Sequence, residues 1–440
     1  MMPFIAGHAM VLTKAMIGLQ GARDMIPTLA EMTRVFTRIG VLSFGGPAAQ
    51  IALMHRELVE TRKWVSEKDY LSALSFCMLL PGPEAMQLAT WTGWRMHGVK
   101  GGLIAGLLFV LPGAAVVLAL SMIYAAFGTV PLVAALFTGV QAAVVAIVLE
   151  ALLRVAKRAL KGRIHWVIAA AAFLALFALN IPFPVIIIAA ALFGAATSKA
   201  AIVAAVATPH APARTLPTLA IWLALWLIPL ATLWQFEQGL LFEIGLFFSK
   251  LAVVTFGGAY AVLAWMTQAV VQDKGWLTLP QMMDGLGLAE TTPGPLILVT
   301  EFVGYLAAHK QGGWAYGIAG AVVTLWMTFV PCFLWIFTFA PYIARITAAP
   351  RLAGALSAIT AAVVGVIANL SLWFAAHVIF KSVGRVDFGP FHLISPEWAS
   401  LNLLALAIGL VAAWLLLWRH WSLPLVLGLS ALASAAATLI

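Results

Sequence analysis

A stretch beginning near Phe36 returns 212 residues later, in register and without a gap. Phe44-Gly45-Gly46 recurs as Phe256-Gly257-Gly258, Trp64 as Trp276, and Pro81-Gly82-Pro83 as Pro293-Gly294-Pro295 (256 − 44, 276 − 64 and 293 − 81 each give 212). Val41/Val253, Ala49/Ala261, Met54/Met266 and Leu74/Leu286 keep the same offset. A chain that repeats itself must place one element series twice. Apolar halves interrupted by Gly and Pro at matching places are what repeat-built carriers look like, and there the interruptions line the substrate site.

The surroundings are apolar throughout. Hydrophobic residues make up 63% of the chain and charged ones 9%, against about 25% charged in an average soluble domain. Runs near the length that crosses a bilayer, about 20 residues, fall at 103–127, 131–153, 166–180, 182–206, 217–234, 242–271, 313–340, 352–376, 401–418 and 421–439. None shows the alternation of a transmembrane β-barrel. The chain therefore reads as an all-α polytopic membrane protein of about 13 segments in two homologous halves, with broken helices. Residues 1–29 read as a cytoplasmic or interfacial leader, because Lys14, Arg23 and Asp24 interrupt any signal-peptide pattern. Residues 30–206 form the first repeat, 207–241 a linker with one helix, and 242–440 the second repeat.

The net charge of +9 belongs to loops and not to nucleic-acid binding. Arg154, Lys157, Arg158, Lys161 and Arg163 form an acid-free cluster between two apolar runs, which the positive-inside rule puts in the cytoplasm. If every segment crosses, seven crossings separate the two repeat starts, an odd number that inverts the second copy. One loop dissents: 56–70 carries Arg56, Arg62, Lys63 and Lys68 yet falls outside on this count. A re-entrant segment around Pro81 would move that loop inside and remove the inversion, so both readings stand at this stage.

Two motifs point to chemistry. Gly45-Gly46-Pro47 and its copy at Gly257-Gly258 suggest helices that stop and restart. Amide N–H groups at the positive dipole end of a restarted helix bind anions without a formal charge; helix packing through small residues is the plainer alternative. Pro81-Gly82-Pro83 and Pro293-Gly294-Pro295 cannot continue a helix, and irregular backbone at membrane depth is tolerated only where protein or a polar cavity satisfies it. Glu84, Glu290 and Glu301 lie in or beside apolar segments, where ionisable groups are usually functional. Near an anion site a carboxylate is best understood as a proton carrier, since a fixed negative charge would repel the substrate. Arg38 and Lys250, also 212 apart, either attract a dianion or snorkel at helix ends. Gln50 and Gln87, with Ser43, Thr255, Thr291 and Thr292, offer neutral donors to oxyanion oxygens.

Other chemistries find little support. Cys77 and Cys332 are isolated in apolar segments, which excludes a thiolate metal cluster and a disulfide framework. His55, His97 and His309 lack metal-ligand spacing, and no Walker A, dinucleotide or His-Glu-x-x-His motif occurs. The sequence thus calls for no cofactor and no metal. An intramembrane enzyme would need a nucleophile or metal cluster that it does not offer.

Phe44-Gly-Gly-Pro-Ala-Ala-Gln50, Met54-His-Arg-Glu57, Phe76 to Leu88 and Gly287 to Leu298 together resemble the chromate transporter family, in its long two-domain bacterial form. That resemblance implies multi-pass insertion in the bacterial inner membrane and efflux of chromate, with sulfate as the similar oxyanion. It also implies two halves in opposite orientation. On this reading the partners are the oxyanion and membrane lipid, with room for a homodimer. A sulfate-type uptake carrier or an anion channel on the same scaffold is the alternative.

Overall fold

The computed structural model describes residues 26–198, 214–256, 259–389 and 391–439. Most of the expected leader, part of the linker, and Gly257 and Gly258 lie outside these residues.

Two pairs of short helices open the chain. Helix α1 (Leu29–Leu42) starts from a capping box: Thr28 Oγ1 accepts the Glu31 N–H, and Glu31 Oε2 accepts the Thr28 N–H. Such caps contribute about 1 kcal/mol. α1 ends at Ser43, and α2 (Gly46–His55, continued by a π-helical turn at Arg56–Thr61) begins after Gly45 and Gly46 at φ 85° and 76°. Two successive left-handed residues need glycine. α3 (Glu67–Cys77) follows, capped by Ser66, and α4 (Glu84–Phe127) begins beyond Pro81-Gly82-Pro83.

Each break reverses the chain. Arg38 and Glu57 lie 3.9 Å apart across the first break, and Arg95 and Asp69 2.9 Å apart across the second. Residues 69 and 95 on one continuous helix would stand nearly 40 Å apart at 1.5 Å per residue, so α3 and the start of α4 form a hairpin. α4 then reverses again at His97 and Gly98 (φ 60°), where a Cβ on Gly93 would come within 2.2 Å of the Gly101 carbonyl oxygen. Of the two readings left open by the sequence, the one in which every segment crosses does not describe residues 29–97, and the re-entrant one around Pro81 does. An apolar run records length, not direction, so these reversals are carried by the Gly and Pro breaks alone.

The same series follows 212 residues on. α9 (Gly239–Val254) and α10 (Ala259–Gln268, with a π-helical turn at Ala269–Asp273) are closed by Lys274–Glu243 at 3.5 Å. α11 (Leu279–Thr291) starts from a Thr278–Gln281 capping box, and the first arm of α12 (Val299–Phe339) folds back along it, with Lys310 Nζ donating to Trp276 O at 2.7 Å and Gln281 Oε1 at 2.9 Å. α12 reverses at Gly313 (φ 69°), where Gly304 and Gly320 repeat the close approach.

Between these units run α5 (Pro131–Ala159), α6 (Arg163–Phe177), α7 (Phe183–Thr197) and α8 (Thr215–Gln235); after them come α13 (Ile343–Thr347), α14 (Pro350–Ile379), α15 (Leu403–Leu417) and α16 (Leu423–Leu439). Five helical stretches, 84–127, 131–159, 215–235, 296–347 and 350–379, are long and apolar enough to span a bilayer. The protein is an all-α polytopic membrane protein, and the described residues carry one strand pair as an addition. That addition is an antiparallel ribbon, β1 (Val383–Phe388) and β2 (Phe391–Pro396), in what the sequence showed only as a loop.

The long second arms of α4 and α12 pack antiparallel at the centre: Gly102 faces Phe337 and Gly106 faces Phe333. Along the α4 arm, contacts with the first hairpins come before the middle (Gly40 against Leu108 O), and contacts with α11 come after it (Pro293 O against Gly113, Asp284 against Tyr124). The first-half hairpins thus enter from one end of the bundle and the second-half hairpins from the other. All four vertices meet midway.

Candidate functional site

At that meeting point the halves exchange hydrogen bonds. The Gly82 N–H donates to Thr255 O at 2.8 Å, and the Gly294 N–H donates to Ser43 O at 2.9 Å. Adding 212 to 82 gives 294, and subtracting 212 from 255 gives 43, so the second pair is the first with the halves exchanged. The Pro-Gly-Pro vertex of each half is therefore satisfied by the Ser/Thr-Phe-Gly-Gly vertex of the other. A buried amide left bare would cost about 1–3 kcal/mol.

The side chains expected to bind substrate largely serve these breaks. Gln50 Nε2 donates to Gly294 O (2.6 Å) and Ser43 O (3.2 Å), and Gln87 Nε2 donates to Pro81 O (2.7 Å). Their Oε1 atoms are buried without partners. The Ser43, Thr255, Thr291 and Thr292 hydroxyls each donate to a carbonyl of their own helix, at 2.6–3.0 Å. The sequence took these hydroxyls for ligand donors; in the fold their protons are already engaged. Arg38 is exposed and paired with Glu57, Lys250 is exposed, and neither reaches the cavity described next.

That cavity, of about 140 Å³, lies beside Gly82. On the bulk-water share of about 30 Å³ per molecule, it has room for a small hydrated ion. Its wall carries the first turn of α2 (Pro47, Ala48), the vertex of the second hairpin (Met78, Gly82, Glu84), Arg154 and Arg158 from α5, and Tyr260 from α10. α2 has no side-chain cap at its N-terminus, so its positive dipole end faces the space. Arg154 pairs with Glu150 at 2.5 Å. Arg158 reaches Met78 Sδ at 2.8 Å, and among the described residues no carboxylate lies within ion-pair distance of it. Tyr260 donates to Glu290 Oε1 at 2.5 Å, which ties the second-half carboxylate to the wall. The wall brings two guanidiniums and a helix N-terminus together with Glu84; Glu150 balances Arg154, and Arg158 is the guanidinium without a carboxylate partner among the described residues.

Glu84 thus lines the cavity, and Glu290 reaches it through Tyr260; Pro81, Pro83, Pro293 and Pro295 belong to the vertices and do not line it. Glu301 does not join them. It is buried on the first arm of α12, with Oε2 lacking any partner. Sequence reasoning missed Arg154, Arg158 and Tyr260. The two arginines were assigned to a loop because the apolar run stops at 153, yet Ala151, Val155 and Ala159 continue the helical period through them. A buried Asp284, held by Tyr124 OH (2.7 Å) and Gln141 Nε2 (2.9 Å), was missed as well. The argument used for Glu290, an acid inside an apolar segment, would have found it. Among the described residues no cluster of His, Cys, Asp and Glu could hold a metal.

Comparison with known proteins gives one family. The model of the family described as Chromate transporter matches residues 30–195 and 242–435. A chromate transport protein of Pseudomonas aeruginosa is 34% identical over 399 residues, covering 86% of this chain and 90% of its own. One of Cupriavidus metallidurans is 31% identical over 364 residues (80% and 84%), and a probable chromate transport protein of Synechococcus elongatus 32% identical over 343 residues (78% and 83%). No solved structure matches.

Proposed function

Because the chain belongs to the chromate transporter family, we propose that it is a secondary carrier exporting chromate across the bacterial inner membrane. The observation that carries this reading is the cavity beside Gly82, with Arg154 and Arg158 in its wall, where the hairpin vertices of the two halves exchange hydrogen bonds. A small divalent oxyanion suits it: Arg154, Arg158 and the α2 N-terminus supply the attraction, and the vertices supply backbone that need not unfold to admit a polar guest. Glu84 and the Tyr260–Glu290 pair are the groups placed to exchange a proton as the anion passes.

We read the two halves as inverted repeats. The traversing segments are the second arm of α4, then α5, α6, α7 and α8, the second arm of α12, and α14, α15 and α16. Five of these separate the two sets of hairpins, an odd number that turns the second set over. On this path the 56–70 loop joins the 154–163 loop. One face then carries Arg56, Arg62, Lys63, Lys68, Arg95, Lys100, Lys161, Arg163, Arg345, Arg351 and Arg419, and the other Lys274, Lys310, Lys381 and Arg385. The positive-inside rule assigns the first face to the cytoplasm, and the dissent of the 56–70 loop disappears.

Export of a dianion from a cell that is negative inside is electrically downhill, by about 2.3 kcal/mol per charge for each 100 mV. The test is radiolabelled chromate accumulation in sensitive cells with and without the protein, titrated with sulfate. Lower accumulation that collapses on depolarisation supports energised export. Unchanged or higher accumulation overturns export and points to sulfate-type uptake.

A further inference from the structure

A second cavity, of about 220 Å³, lies under the β-ribbon, at the end of the bundle from which the second-half hairpins enter. Its lining is polar in an unusual way. Asn180, Gln268, Gln272 and Asn369 bring carboxamides, the ribbon brings Arg385 and His392, and no carboxylate lines it. Carboxamide N–H groups and a guanidinium are oxyanion donors, whereas a cation pocket would show acids. Asp387, off the lining, accepts from His392 Nδ1 (2.6 Å) and forms an ion pair with Arg385 Nε (3.3 Å). The ribbon is fixed over the space, its His392 N–H donating to Ala178 O of the α6 end at 2.9 Å.

The two cavities share one helix face. Tyr260 of α10 lines the central cavity, and Ala264, Gln268 and Gln272 line the outer one. Steps of four keep these residues on one side of the helix. The distance along the axis from Tyr260 to Gln272 is about 18 Å at 1.5 Å per residue.

We propose that the cavity under the β-ribbon is a second oxyanion site, an outer station reached from the central cavity along the Tyr260–Gln272 face of α10. It rests on the carrier reading above, and it takes the same chemistry: a tetrahedral divalent anion, held by carboxamides and by Arg385. An anion leaving the central site meets donors before it meets open water, and the ribbon limits how it departs.

The test is equilibrium binding of radiolabelled chromate to the full-length protein in phosphatidylcholine nanodiscs. Two sites per chain are expected. Arg385→Ala combined with Gln272→Leu weakens one by about tenfold or more and leaves the other, while Arg154→Gln does the reverse. A single site that Arg154→Gln abolishes and the outer variants do not touch overturns this proposal and leaves the carrier reading intact. Absence of chromate and sulfate binding from every variant removes the oxyanion reading itself. Repeating the titration in phosphatidylglycerol nanodiscs separates the sources of the anion. Loss of the outer site there alone assigns the pocket to a lipid headgroup phosphate and overturns the proposal.

Discussion

Replacing Gly82 by Ala tests whether the crossed vertices hold the molecule together. Gly82 sits at φ 122° with its N–H committed to Thr255 O, and an added Cβ would lie 2.8 Å from Gln87 Nε2 and 2.9 Å from the buried Cys332 Sγ. The backbone conformation alone costs an L-residue about 1–3 kcal/mol, and the forced contact adds about 1–3 kcal/mol. Gly82→Ala should therefore destabilise the protein by about 2–6 kcal/mol, read from denaturant or thermal unfolding in detergent. Gly294→Ala, at φ 91°, carries a similar backbone strain, but its Cβ meets chiefly the movable Cδ1 of Leu298 at 2.9 Å, so its loss should be the smaller. Adding Cys332→Ala to Gly82→Ala should recover about 1 kcal/mol through relief of the contact and leave the backbone strain. The reasoning fails if Gly82→Ala unfolds like the wild type, or if Cys332→Ala restores nothing.

Arg154→Gln and Arg158→Gln should each reduce chromate export about tenfold or more at equal expression, whereas Arg38→Gln, exposed and outside the cavity, should change it less than about twofold. Glu84→Gln keeps hydrogen bonding but removes the titrating proton; lost export in Glu84→Gln and Glu84→Ala alike would assign it to proton exchange, and unchanged export in both would rule that role out. Tyr260→Phe removes the donor to Glu290, and should slow export without lowering chromate binding, measured on the same preparation. In the ribbon, the hydrogen bond from His392, aided by the nearby charges of His392 and Arg385, holds the Asp387 carboxyl below its usual range. A depressed carboxyl stabilises the fold above its unfolded value, near 3.9, and ceases to do so as pH falls through the folded value. The extra protection of ribbon amides in wild type over Asp387→Asn, followed by hydrogen exchange, should therefore be present at neutral pH, begin to decline as pH falls to about 4, and vanish only below the lowered folded value.

The sequence located the breaks because Gly and Pro mark backbone that no helix can continue, and the register of 212 matched each break with its counterpart. It raised a turn back around Pro81 without deciding it, and it did not offer one at Gly45-Gly46. Direction at Gly45-Gly46 and Pro81-Gly82-Pro83 is set by contacts such as Asp69–Arg95 and Glu57–Arg38, whose partners lie far apart in the chain. Candidate donors were legible as residue types and not as roles. A buried Ser or Thr in an apolar helix returns its proton to the preceding turn, as Ser43 and Thr255 do, and the glutamines cap the broken backbone. Arg154 and Arg158 were hidden by the rule that finds loops: basic residues ending an apolar run look cytoplasmic until the helix is seen to carry them inward.

The crossed pair Gly82–Thr255 and Gly294–Ser43 also bears on self-sufficiency. A half cut free would present its Pro-Gly-Pro amide bare at membrane depth, since the carbonyl that accepts it lies on the other half. Two copies of such a half, meeting about a two-fold axis, would cover each other's amide, since the contact is self-complementary. Helix α8 then acquires a purpose beyond joining. On the inverted-repeat reading proposed above, by adding one crossing, it lets a single polypeptide contain what would otherwise require two molecules inserted in opposite senses, always in equal number and already adjacent.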